Sequence, residues 1–193
     1  MQECRLSAND LACRRGDRLL FARVSLALAP GGALQVTGPN GVGKSSLIRI
    51  LAGLARPFEG SVSRIGAIGL LDERPALDEH LPLDKALGFW RGIDEGPMGD
   101  HAEMLGLAGL LDVPVRYLST GQRKRAAFAR LLGQQAPVWL LDEPLNGLDT
   151  DAVGLIERLA RDHCAAGGIA VIASHQPFRF DGLETLHLPD FAA

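Results

Sequence analysis

The chain has 193 residues, 47% of them hydrophobic, which is enough to bury one core without staples and excludes a disordered or disulfide-built protein. Its 20 lysines and arginines face 23 acids for a net charge of −3, so no nucleic-acid partner is expected and any phosphate binding has to be local. The 23 glycines exceed the usual share of ~7% and point to places where backbone turns or approaches a ligand closely.

The three cysteines, Cys4, Cys13 and Cys164, are odd in number and lack C-x-x-C spacing, so neither a disulfide framework nor a metal knuckle is expected. A reducing compartment is the default. Glu3 comes early and no apolar h-region follows it, against a secretory signal. The longest uncharged stretch, Val24 to Gly43, is broken by Pro30, Gly31, Gly32, Gly38 and Pro39, where a membrane span needs ~20 continuous apolar residues.

Along the chain, short apolar runs recur at Ala33 to Thr37, Val138 to Leu141 and Ile169 to Ala173, each followed by a turn and a helix-like segment. That alternation predicts an α/β fold with a mainly parallel sheet. After Lys44, the residues Leu47, Leu51 and Leu54 share one helical face, and the period ends before Pro57. The segment from about 75 to 135 has no comparable strand and carries a Gly/Pro break at Gly96 to Gly99. It reads as a helical insertion on a core of about 1–74 and 136–193, the whole forming one domain.

Gly38-Pro39-Asn40-Gly41-Val42-Gly43-Lys44-Ser45 fits G-x-x-x-x-G-K-[ST] between a strand and a helix, the context this phosphate loop requires. Its backbone N–H groups, continuing into Ser46, would cradle phosphates at the positive end of the helix. Lys44 would reach the β and γ phosphates of ATP, and the Ser45 hydroxyl would ligate Mg²⁺. The lysine is notable in a chain with 17 arginines and only 3 lysines.

Ser119-Thr120-Gly121-Gln122 opens a helix-like run, and Ser119 with Gln122 also fits an ordinary capping box. Arg123, Lys124 and Arg125 then crowd the first turn, where the helix dipole disfavours cations and a bound anion would relieve the conflict. The strand ending at Asp142-Glu143-Pro144 delivers two carboxylates. Asp142 suits a Mg²⁺ ion held through water, and Glu143 suits the polarisation of a hydrolytic water. Asn146 to Asp149 is a turn, and His175 ends another strand; either alone would be unremarkable. Gly38, Asp142 and His175 each follow a different strand end, so they are expected to converge on one sheet edge.

In this order the five motifs resemble those of the nucleotide-binding subunits of ABC transporters, over essentially the whole chain. The resemblance implies a P-loop NTPase fold that hydrolyses ATP with Mg²⁺, with Lys44, Glu143 and His175 as the catalytic set. It further implies a head-to-tail dimer in which Ser119, Gly121 and Gln122 of one copy contact the ATP held by the other, with Asp149 in the dimer contact. Leu118 to Ala127, Trp139 to Asp149 and Ala173 to Pro177 are similar to runs of the haem-exporter ATP-binding subunits of cytochrome c biogenesis. That implies an integral membrane permease as partner and a peripheral position on the cytoplasmic face of the inner membrane.

The sequence departs from the family at two points. The expected Q-loop glutamine is replaced around Glu73-Arg74, where Glu73 offers a further oxygen for the metal. The aromatic residue that commonly stacks on adenine is missing near Arg14-Arg15, where a guanidinium plane could stack instead, while Phe21 is expected in the core. Base selectivity is therefore expected to be modest. Two other classes fit less well. A soluble ABC-type ATPase acting on ribosomes or DNA has tandem cassettes or long insertions, and a P-loop kinase would leave Ser119 to Gln122 and His175 unexplained.

Overall fold

A computed structural model of the chain describes residues 3–94 and 101–192. The chain opens with an antiparallel pair, β1 (Arg5–Arg15) and β2 (Arg18–Leu28), and β4 (Glu59–Ile65) adds to the free edge of β1 to give the order β2-β1-β4. The second sheet is parallel. It contains β3 (Ala33–Thr37), β5 (Ile68–Leu71), β6 (Val138–Asp142), β7 (Ile169–Ala173) and β8 (Leu183–His187) in the order β5-β6-β7-β3-β8.

The three apolar runs of the sequence become β3, β6 and β7, adjacent at the centre of this sheet. Both of its faces are covered, which is why these strands read as continuous apolar runs. Leu34, Val36, Val138, Leu140, Ile169 and Val171 point to one face, beneath β1 and β2 and against the helix α1 (Lys44–Leu51). Trp139, Leu141, Ala170 and Ile172 point to the other. There they meet Phe128 and Leu131 of α4 (Thr120–Gly133) and Ile156 and Ala160 of α5 (Thr150–Ala165).

The segment between β5 and β6 is helical among its described residues, with α2 (Leu83–Asp94), α3 (His101–Met104) and α4. Leu83, Ala86, Leu105, Leu107 and Val115 join the same core face as Trp139 and Leu141. The Gly/Pro break at Gly96 to Gly99 lies outside the described residues.

One helix end differs from expectation. α1 stops at Leu51, not near Pro57, and Leu54 is 59% exposed. The Arg64 guanidinium from β4 takes its last carbonyls, donating from Nε to Leu51 O at 2.6 Å and from Nη2 to Ile50 O at 2.5 Å, while Gly53 turns the chain at a φ of 80°.

Cys4, Cys13 and Cys164 are free and buried, and burial pushes the Cys164 thiol up to about 11, so it is an inert core residue. His163 stacks on Trp139 with ring centroids 3.9 Å apart, and burial lowers its pKa. No helix among the described residues is long and apolar enough to cross a membrane.

Candidate nucleotide site

The loop between β3 and α1 is held from both sides. A Cβ on Gly43 would come 3.1 Å from the ring of Phe21, a fully buried residue of β2 that supports the loop from below. A Cβ on Gly38 would come 2.8 Å from Pro189, which follows β8. Gly38, Gly41 and Gly43 all have positive φ, of 140°, 82° and 115°, so the loop's path is one that side-chain-bearing residues rarely follow.

Lys44 is 5% exposed and folds back over this loop. Its Nζ donates to Gly38 O at 2.9 Å and Pro39 O at 3.3 Å, and it lies 3.4 Å from Glu143 Oε1. The other Glu143 oxygen, Oε2, is 2.8 Å from His175 Nδ1. Residues from three strand ends therefore form one chain, Lys44–Glu143–His175, at a single edge of the sheet. Glu143 is placed there by strained backbone, with a φ of 46° and its N–H donating to Ala173 O of β7 at 2.8 Å.

On the metal side, Asp142 is 4% exposed and its Oδ1 has no hydrogen-bond partner among the described residues. Burial raises its pKa, opposed by a hydrogen bond with Ser45, while the nearby charges of Glu143 and Glu73 raise it further. An orphaned carboxylate oxygen beside a hydroxyl and a second acid is a hard-oxygen donor set that fits Mg²⁺. No group of three or more His, Cys, Asp or Glu residues among those described could hold a metal by itself.

A cleft of about 650 Å³ runs over this constellation, lined by Asn40, Gly41, Gly43, Ser45, Ser46 and Glu73 among others. Glu73 lines this cleft, and Arg74 lines the neighbouring one. Pro39 enters through its carbonyl, and Val42 lends its side chain to the core behind the loop. The Cys13 thiol of β1, its pKa raised by burial, is near enough to Ser46 for that side chain to oppose the shift.

Ser119, Gly121 and Gln122 do not line this cleft. Ser119 and Gln122 form the capping box at the start of α4, with Ser119 N donating to Gln122 Oε1 at 2.8 Å and Gln122 N to Ser119 Oγ at 3.2 Å. A Cβ on Gly121 would lie 2.6 Å from Gly147 O, so the glycine is already required by contact within the chain. Asp149 caps α5, its Oδ1 accepting from Ala152 N at 2.8 Å.

The sequence argument that the basic first turn of α4 needs a bound anion is corrected here for two of its three cations. Arg125 donates to Leu105 O at 3.0 Å, and Lys124 lies near the charges of Asp142, Glu73, Asp72 and Glu143. The carbonyl meets the charge of Arg125, while burial lowers the pKa of Lys124 and those carboxylates oppose the shift. The position of Lys124 is not apparent from sequence, since it depends on α4 lying across the ends of β5 and β6.

Gln35 was also missed. It sits buried at 6% in the middle of β3, with Nε2 donating to Gln176 O at 2.8 Å, and the Gln176 side chain donates to Asn146 Oδ1 at 3.2 Å. This relay fixes the turns after β6 and β7 relative to each other. The one signal in the sequence is a polar residue inside an apolar strand.

The family model described as ABC transporter matches residues 21–146. Over 191 residues the chain is 58% identical to the cytochrome c biogenesis ATP-binding export protein CcmA of Novosphingobium aromaticivorans, covering 99% of each chain. It is 47% identical over 192 residues to the protein of the same name from Zymomonas mobilis, covering 98% of this chain and 86% of that one. Among solved structures it is similar in fold to an ABC transporter ATP-binding protein from Pyrococcus furiosus, with a TM-score of 0.83 at 19% identity, covering 98% of this chain and 100% of that one. A dimeric ATP-binding cassette bound to ADP and Pi aligns with a TM-score of 0.75 at 21% identity, over 89% of this chain and 88% of that one. The strand order, the glycine loop closed on Lys44 and near-complete alignment at 58% identity agree, and the chain belongs to the ABC transporter ATP-binding family, among its cytochrome c biogenesis ATP-binding export proteins.

Proposed function

We propose that this ABC-type ATPase drives a membrane complex that delivers or exports haem for c-type cytochrome maturation, from the cytoplasmic face of the inner membrane. The observation that carries the catalytic part is the Lys44–Glu143–His175 chain, with separations of 3.4 and 2.8 Å, in which Lys44 and Glu143 are buried and His175 is exposed. Without nucleotide, Lys44 and Glu143 neutralise each other.

ATP phosphates lie along the backbone N–H groups from Gly38 to Ser46, and a phosphate oxygen replaces Glu143 Oε1 as the partner of Lys44. Oε1 is then free to accept a proton from water as that water attacks the γ-phosphorus and ADP leaves. His175 Nδ1 holds Oε2 throughout, which fixes the carboxylate plane and turns the other ring nitrogen toward the phosphate. Ser45 and Asp142, with Glu73 alongside, would hold Mg²⁺, which would screen the phosphate charges.

One chain leaves the site open on its outer side. A second copy, head to tail, brings Ser119, Gly121 and Gln122 onto the phosphates held by Lys44, with Asp149 near the shared boundary. The helical insertion of about 75–135 carries this signature and the face toward the permease.

Copurification from membranes tests the assignment. A tagged chain is expected to retain an integral membrane permease that also carries haem-handling subunits. Recovery with a lipid or drug exporter would overturn the role in cytochrome maturation.

A further inference from the structure

β7 ends at Ala173, and after Ser174, whose N–H donates to Val36 O at 3.1 Å, the backbone carrying His175 leaves the sheet. Packing does not hold the His175 ring, since its side chain is 43% exposed. Its aim at Glu143, with Nδ1 2.8 Å from Oε2, therefore depends on how the backbone of 174–178 is fixed.

The Gln35 amide binds this backbone twice from the middle of β3. Nε2 donates to Gln176 O at 2.8 Å, and Oε1 accepts from Phe178 N at 3.4 Å. A donor and an acceptor so placed continue, from a side chain, the pairing that the strand has given up. The Ser174 hydroxyl, on a residue 1% exposed, closes the turn by accepting from Gln176 N at 3.0 Å. Beyond this clamp, Gln176 Nε2 donates to Asn146 Oδ1 at 3.2 Å, and Asn146 lines the same cleft as Glu143 and His175. The turns after β6 and β7, which carry Glu143 and His175, are thus joined through one relay.

A buried amide is costly to desolvate, and an apolar side chain would pack β3 as well, as Leu34 and Val36 do on either side. Both bonds of the Gln35 amide go to the backbone just after His175. We propose that Gln35 is a positioning residue for ATP hydrolysis: through Gln176 and Asn146 it holds His175 and the turn after Glu143 in one geometry for the attack of water. This rests on the catalytic reading above. Gln35 is not among the described residues lining the cleft, so its loss acts on turnover and spares affinity.

Gln35→Met keeps the bulk of the side chain and removes both bonds. In the complex of the chain with its membrane subunits it is expected to lower steady-state phosphate release about 10- to 100-fold, while the Kd for ATP with Mg²⁺ stays within about twofold. Gln176→Leu, at a half-buried position, breaks only the bond to Asn146 and is expected to lower turnover about threefold. The imidazole nitrogen NMR spectrum of the full chain reads the geometry apart from turnover, the His175 signals being those lost in His175→Ala. In wild type its two ring nitrogens are expected to resonate well apart, as in a ring held in one tautomer, and in either variant to move toward each other. Urea unfolding shows whether Gln35→Met is folded; if it is not, Gln176→Leu decides by the same readouts. Wild-type turnover in the deciding variant, a loss of affinity as large as the loss of turnover, or unmoved His175 signals beside a fall in turnover would overturn the relay and leave Lys44 and Glu143 standing. A wild-type complex that releases no phosphate would instead remove the catalytic reading itself.

Discussion

Replacing Glu143 with glutamine is expected to lower ATP hydrolysis about 10³-fold while leaving ATP binding nearly intact, a general base being worth roughly 10²–10⁴. The amide keeps the shape of the carboxylate and can still bond His175 Nδ1, 2.8 Å from Oε2 in the native site. It cannot take a proton from water. It also no longer pairs with Lys44, now 3.4 Å from Oε1, so the ammonium is freed for phosphate and binding should tighten if it changes. With hydrolysis blocked, the ATP-bound dimer should accumulate. Phosphate release and nucleotide binding measured on the same preparation separate the effects, and hydrolysis at the wild-type rate would remove Glu143 from the role of base.

Lys44→Ala is expected to act on binding itself. Charge-assisted bonds from a nearly buried ammonium to phosphate are worth about 2–4 kcal/mol when truncated, or about 30- to 1000-fold in Kd. The 5% exposure of Lys44 puts it at the upper part of that range, because little water can replace it. Truncation also strips Glu143, 8% exposed, of its cation, leaving His175 as its remaining partner. The variant therefore has to be checked by urea unfolding. A stable Lys44→Ala protein with wild-type affinity for Mg²⁺ and ATP would mean that the phosphates bind elsewhere.

Much of this site was legible before any coordinates, because its residues sit where sequence pattern and chemistry coincide. Gly38 to Ser46 needs glycine for its φ values and lysine for its charge, and both are written in the string. β3, β6 and β7 were visible as apolar runs because both faces of their sheet are covered. β1, β2 and β4 went unread for the opposite reason. They form an antiparallel sheet with only one face buried, whose alternation is interrupted by register shifts, as at Asn9 to Ala12, so no clean period survives.

The same holds within the site. Asp142 and Glu143 were found by their place after a strand, but the positive φ that aims Glu143 at Lys44 leaves no trace in residue type. Lys124 was read locally, as a cation in the wrong turn of a helix, when tertiary structure sets it near the acidic group at Asp142. Ser119 and Gln122 form the capping box that starts α4, and in the proposed head-to-tail dimer that box would also fix the backbone at which a second copy's phosphate docks.

The central claim is that each working site is built from two chains, Lys44 of one and Ser119 of the other. Lys44→Ala and Ser119→Arg chains, differently tagged, can be expressed together with the membrane subunits and the mixed complex isolated through both tags. Its steady-state phosphate release is the decisive measurement. Each variant alone should be inactive, and the mixed complex should regain a substantial fraction of wild-type turnover, because one of its two sites has both residues intact. A mixed complex as inactive as its parents, or Ser119→Arg alone at the wild-type rate, would contradict a shared site.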